Sequence, residues 1–201
     1  PILLAGNGVI RNQAAPALRR FVAHTGIPCA NTFMAKGVLP FNDPFSLLAV
    51  GLQARDYVNC GFDRADVVIA VGYDLVEYPP SRWNPNCDKK IIHIARTPAE
   101  VDKHYQLYCG MEANIGLTLD ELGAKITPRG DTRYVKTLRD MILDELEQSG
   151  TDSSFPLKPQ KILHEVRKGM DDHDILLSDV GAHKLWIARM YPCNEPNTCL
   201  I

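Results

Sequence analysis

Five consecutive apolar residues, Val67-Val68-Ile69-Ala70-Val71, limit what this chain can fold into more than any other stretch. Four of them are Val or Ile, and Gly72 follows directly. A short β-branched run without polar alternation fits a strand covered on both faces, the environment of a parallel sheet. A glycine at its carboxyl end allows a sharp turn on the edge where open α/β sheets bind ligands.

The flanking segments supply partners for that strand. Ile2 to Ala5, Ile27 to Asn31, Leu47 to Val50 and Lys90 to Ile94 have strand character, with a weaker sixth strand at Gln106 to Cys109. Helical patterns lie between them, at about Gln13 to His24 and Asp56 to Asp63. Thr97-Pro98-Ala99-Glu100 has the form of a capping box with proline at the first helical position, and predicts a helix start. An amphipathic helix is expected from Ile115 to Ile126. The prolines of Glu77-Tyr78-Pro79-Pro80-Ser81-Arg82-Trp83-Asn84-Pro85 predict an irregular segment. Six strands alternating with helices predict an α/β fold with a doubly wound, six-stranded parallel, Rossmann-like sheet over residues 1–126. Residues 127–155 read as a helical connection and a polar linker. A second, incomplete α/β unit follows over 156–201, with a helix from Pro159, a strand at Asp174 to Asp179 and a helix at Ala182 to Tyr191. The chain begins at once in a strand pattern at Pro1-Ile2-Leu3 and stops in the apolar Thr198-Cys199-Leu200-Ile201, so it reads as an interior piece of a longer polypeptide.

Charge and cysteine usage narrow the function classes. With 22 basic and 24 acidic residues, the net charge of −2 gives no basic excess for nucleic acid or membrane lipid. No apolar run reaches the ~18 residues of a membrane span, and no leader pattern opens the chain. The six cysteines (29, 60, 87, 109, 193 and 199) form no C-x-x-C pair, which fits reduced thiols in a cytoplasmic setting better than disulfides or zinc.

Several residues qualify as site candidates, each with an ordinary alternative. Gly6-Asn7-Gly8 is a partial dinucleotide fingerprint whose third glycine is replaced by Arg11, and Asn31 stands near the expected ribose carboxylate. A plain tight turn accounts for it better than an NAD site. Cys29 reads as a buried strand residue and not a nucleophile. Trp83 and Trp186 read as packing residues. Lys36 beside Gly37 could meet an anion or be solvated. Ser178-Asp179-Val180-Gly181-Ala182-His183 joins a strand end, a glycine turn and a helix start. Free N–H groups there suit a phosphate, with His183 in the first turn; equally, Ser178 or Asp179 could cap the helix and leave His183 exposed.

Together these residues resemble a known family. Asp179-Val180-Gly181-Ala182-His183-Lys184-Leu185-Trp186-Ile187-Ala188 is similar to the D-V-G-x-H-x-x-W-x-A segment of acetolactate synthases, which are thiamine diphosphate enzymes. The resemblance extends through Ile2 to Val9, Lys36-Gly37 and Ala65 to Gly72, and is uninformative at 127–158. It implies a three-domain polypeptide in which residues 1–126 form the central domain and 156–201 the start of the diphosphate-binding domain. Val180, Gly181, Ala182 and His183 match cofactor-contacting positions. The catalytic glutamate and the G-D-G metal motif of the family would lie outside this stretch. The resemblance therefore implies thiamine diphosphate and Mg2+ in the parent, condensation of two pyruvates to 2-acetolactate and CO2, and no activity from this piece alone. It also implies a 2-keto acid substrate and homo-oligomers, dimers or tetramers, with the missing domains as partners.

Biosynthetic members carry FAD in the central domain through an R-F-D-D-R segment. Here Asp74-Leu75-Val76-Glu77-Tyr78 has no arginine, and Ala95 replaces a later aspartate. A pyrophosphate site without its cation and a ribose site without its carboxylate should bind FAD poorly, as in the catabolic type. Two other classes compete. One is a stand-alone NAD-binding enzyme of sirtuin-like fold, which would carry paired C-x-x-C zinc ligands. The other is a non-catalytic assembly scaffold.

Overall fold

The computed structural model describes residues 1–50 and 57–201. The elements run β1 (Ile2–Ala5), α1 (Asn7–Arg11), α2 (Ala15–Thr25), β2 (Cys29–Asn31), β3 (Ser46–Ala49), α3 (Tyr57–Asp63), β4 (Val67–Val71), β5 (Lys90–Ala95), β6 (Leu107–Glu112), α4 (Ile115–Gly123) and α5 (Arg133–Thr151). They continue with α6 (Pro159–Lys168), β7 (Leu176–Leu177), α7 (Ala182–Met190) and β8 (Cys199–Leu200). The expected helix start at Asp56 lies outside the described residues.

Six parallel strands form one sheet in the order β3-β2-β1-β4-β5-β6. The order reverses between β1 and β4, which makes this a Rossmann-like, doubly wound α/β fold with a crevice at that switch point. Strand alternation sends side chains to two cores. Leu3, Ala5, Ile69, Val71 and Ile94 face α2 and α4, meeting Leu18, Phe21, Val22, Ile115 and Leu119. Ile2, Leu4, Val68, Ala70 and Ile91 face α3 and α5, meeting Val58, Phe62, Val135, Leu138 and Ile142. The continuous apolar character of β4 follows from this double cover. β6 lies at the edge, and Tyr108 on it is 70% exposed.

α5 does more than connect. Arg139 is buried beneath it and donates to the carbonyls of Ser46 and Phe41, tying the helix to the β3 side of the sheet. β7 and β8 pair in parallel with each other in a separate two-stranded sheet. A third apolar cluster underlies it, made by Ile187, Ala188, Tyr191, Cys193 and Cys199 with Phe33 from the first unit.

Three local expectations are corrected. No helix begins at Thr97-Pro98; residues 98–101 lack regular structure and Asp102 bridges Tyr105. Burial of Tyr105 overrides the local capping signal. Its ring packs on Trp83 and Tyr73 at 6.0 and 5.5 Å between centroids, and its hydroxyl meets His93 Nδ1 at 2.7 Å. Asn84 Nδ2 donates to His104 O at 2.7 Å and holds the segment extended. β6 runs on to Glu112 rather than ending at Cys109, because its register with β5 continues to Ala95↔Glu112. Gly6-Asn7-Gly8 is not a plain turn, since Asn7 opens the short helix α1.

Candidate functional site

Two junctions in the molecule share one design: a parallel strand ends, a glycine follows, and a helix begins. At the first, β1 runs through Gly6 into α1 beside the end of β4. Gly6 N donates to Val71 O at 2.9 Å and Gly8 N to Gly72 O at 2.8 Å, so the two strand-end loops are hydrogen-bonded to each other. A Cβ on Gly8 would stand 2.6 Å from Gly72 O, and one on Gly72, whose φ is +55°, would stand 2.5 Å from Val9 N. These glycines serve backbone-on-backbone packing, where the sequence pattern alone also allowed approach to a phosphate.

A carboxylate fills the crevice above them. Glu77 Oε2 accepts from Asn7 N at 2.9 Å and from Thr32 Oγ1 at 2.6 Å, while Oε1 accepts from Asp74 N at 3.2 Å. Burial raises the Glu77 pKa, and the bonds from Thr32, Asn7 and Asp74 oppose that rise. This acceptor sits on the first amide of α1, where a dinucleotide fold places its pyrophosphate. The sequence held only a weak sign of it: an acid in the segment where an arginine was sought.

At the second junction β7 runs through Ser178 and Asp179 into α7. Ser178 is buried; Asp179, Val180, Gly181, Ala182 and His183 are exposed, with Val180 at 77%. Neither proposed cap forms. Asp179 Oδ1 accepts from Val180 N at 2.7 Å, Ser178 Oγ donates to Asp179 O at 2.9 Å, and no side chain caps α7. His183 Nε2 lies 2.7 Å from Asp179 O, folding the ring back over the turn beside Gly181. The result is an exposed helix start, suited to an anion by its first-turn N–H groups.

The remaining candidates fall elsewhere. Lys36 is neither solvated nor aimed at an anion: it is buried, and Nζ donates to Ile187 O at 3.3 Å and Ala188 O at 2.9 Å. It therefore caps the carboxyl-terminal part of α7, away from His183. A Cβ on Gly37 would collide with the Glu195 backbone, so Lys36-Gly37 docks the second unit onto the first. Cys29 is buried in β2, and desolvation pushes its thiol well above the ordinary range. Trp83 lies in the aromatic cluster and Trp186 is half-buried. No disulfide joins any of the six cysteines. Among the described residues no group of three or more His, Cys, Asp or Glu side chains could hold a metal, and no helix is long and apolar enough to cross a membrane.

Comparison with known proteins bears on this geometry. Residues 1–122 match the family model described as thiamine pyrophosphate enzyme, central domain. The chain is 30% identical over 207 residues to an acetolactate synthase of Bacillus subtilis (strain 168), covering all of this chain and 36% of that protein. It is 30% identical over 211 residues to acetolactate synthase 1, chloroplastic, of Zea mays, covering 100% of this chain and 32% of that protein. Acetolactate synthase 2, chloroplastic, of Nicotiana tabacum is 28% identical over 210 residues. The chain thus spans about a third of the length of the curated relatives it matches. These matches do not favour the sirtuin-like alternative.

Proposed function

Since the chain belongs to the thiamine pyrophosphate enzyme family, with residues 1–122 matching its central domain, we propose that it is an interior part of an acetolactate synthase-like polypeptide. In this reading residues 1–126 are the central domain, 127–155 the connection, and 156–201 the first part of the cofactor-binding domain. The parent reaction condenses two pyruvates to 2-acetolactate with release of CO2. The observation that carries the proposal is the alignment of the whole chain, second unit included, with acetolactate synthases.

The second junction gives the chain its part in that reaction. Val180, Gly181, Ala182 and His183 would hold the diphosphate end of thiamine diphosphate, which supplies the carbanion chemistry when bound. The uncapped start of α7 fits an anionic group, its first amides donating and its dipole favouring negative charge. Donors for Mg2+ would come from outside this stretch. Exposed apolar side chains on the second unit, Leu177 at 74% and Val180 at 77%, support a unit completed by further chain.

The first junction does not fit FAD. A flavin pyrophosphate there would have to displace the Glu77 carboxylate from three protein donors, and residues 74–78 hold no arginine to neutralise its charge. The central domain is accordingly FAD-free, as in the catabolic type.

Three measurements test these readings. The 201-residue chain, given pyruvate, thiamine diphosphate and Mg2+, should form no acetolactate (read as acetoin after acid decarboxylation); measurable product overturns the partial-enzyme reading. In the full-length polypeptide His183→Ala should raise the cofactor concentration needed for half-activity about tenfold, the worth of one charge-assisted hydrogen bond. An unchanged requirement removes His183 from the site. A flavin absorption spectrum in the purified protein would overturn the FAD-free assignment.

A further inference from the structure

Two segments meet at the amino-terminal edge of the sheet, where β5 and β6 begin. The parallel register pairs Ile91 with Leu107, so the residues just ahead of the two strands also lie side by side. Cys87 and His104 stand there, each three residues before its strand. Cys87 Sγ lies 3.4 Å from His104 Nδ1 and 3.4 Å from Lys103 O. Nδ1 in turn lies 3.2 Å from Asn84 O. A turn in which Cys87 N donates to Asn84 O at 3.2 Å, with Cys87 at a φ of +56°, presents the thiol. The facing segment is fixed through its main chain: the buried Asn84 donates through Nδ2 to His104 O, and His104 N donates to Asp102 Oδ1, each at 2.7 Å. Cys87 is exposed and His104 half-buried, so a solute can reach the sulfur. Cys109, exposed on β6, has no imidazole hydrogen-bonded to its sulfur among the described residues.

We propose that Cys87 and His104 form a thiol-modification site, at which His104 accepts the thiol proton and Cys87 takes up a low-molecular-weight disulfide as a mixed disulfide. The proton passes from Cys87 Sγ to His104 Nδ1. Its arrival turns the contact with Asn84 O into a hydrogen bond, because the new N–H faces a carbonyl that can only accept. The Cys87 sulfur attacks one sulfur of the disulfide, the S–S bond breaks, and the leaving thiolate takes the proton back from His104. One protein thiol and one disulfide thus give one mixed disulfide and one small thiol, with the disulfide itself as the oxidant. All six strands run parallel, so the pair lies at the edge opposite to Gly6 and Gly72. Its chemistry therefore does not rest on the cofactor assignment.

The test is incubation of the whole chain with oxidised glutathione at neutral pH, quenched over time by alkylation and followed by tryptic digestion and mass spectrometry. Cleavage after Arg82 and Lys89 releases Trp83–Lys89, whose one cysteine is Cys87. Cleavage after Lys103 and Lys125 releases His104–Lys125, whose one cysteine is Cys109 and which serves as the internal reference. Trp83–Lys89 should gain the glutathionyl group about tenfold faster than the reference, general-base assistance being worth at least that. The two rates should converge in concentrated urea, where the pair is dispersed. His104→Ala and His104→Asn should each slow the Cys87 reaction about tenfold and leave Cys109 unchanged, since neither a methyl group nor an amide accepts the proton. Both substitutions keep the main-chain bonds at position 104. Should neither variant fold, the wild type decides through its native and urea rates. Equal native rates at Cys87 and Cys109, or a native difference that persists in urea, overturn the proposal. A His104→Asn variant that reacts as fast as the wild type overturns the assignment of His104 as the base.

Discussion

The junctions after β1 and after β7 are built alike and have opposite fates. After β1 the loop interlocks with the loop after β4, and the Glu77 carboxylate occupies the amides a ligand would use. After β7 the helix start has no side-chain cap and the surrounding residues are exposed. A strand-glycine-helix pattern therefore specifies a place where an anion can bind. What occupies it depends on whether a distant segment brings its own carboxylate.

The largest effect should come from breaking the interlock. Gly72→Ala combines an unfavourable backbone conformation with a Cβ that would stand 2.5 Å from Val9 N, so it should cost more than about 3 kcal/mol in urea unfolding. A near-neutral result would mean that the two loops can part, and with it the claim of a closed crevice would go. Next in size, Glu77→Ala leaves the Asn7 and Asp74 amides and the Thr32 hydroxyl without their acceptor, and should destabilise by about 2–3 kcal/mol. Its pH signature sharpens the point. Because the folded pKa is raised, the native state binds the extra proton between about 4.3 and the folded value. Wild-type stability should therefore fall as pH rises through that window, and the slope should vanish in the variant.

A smaller effect belongs to the aromatic cluster. Burial lowers the pKa of His93, so its neutral form stabilises the native state above about 6.5. That contribution should be lost as pH falls from 6.5 toward the folded value, at no more than about 1.4 kcal/mol per pH unit, and be absent in His93→Gln. The smallest effect is expected at the open junction. His183→Ala should change unfolding stability by less than about 0.5 kcal/mol, because the ring is exposed. A cost above about 1 kcal/mol would make His183 a structural residue and erase the contrast with Glu77.

The elements legible beforehand were those whose pattern is set by residues close in sequence. β4 announced itself by an unbroken β-branched run, α5 by its apolar stripe, and the turn at Gly181 by strand and helix signals on either side. The segment at Thr97 misled because a local capping signal there is worth about 1 kcal/mol, less than burying Tyr105 among Trp83 and Tyr73. Lys36 misled for the same reason, since its partners are carbonyls some 150 residues away.

Periodicity, β-branching and glycine placement thus determined the layered α/β architecture and the location of both strand-end junctions, since these follow from steric and burial preferences acting within a few residues. Only the folded chain decided that Glu77 closes one junction and that Lys36 caps α7. Those outcomes depend on hydrogen bonds and desolvation between groups that the sheet topology brings together from distant parts of the sequence.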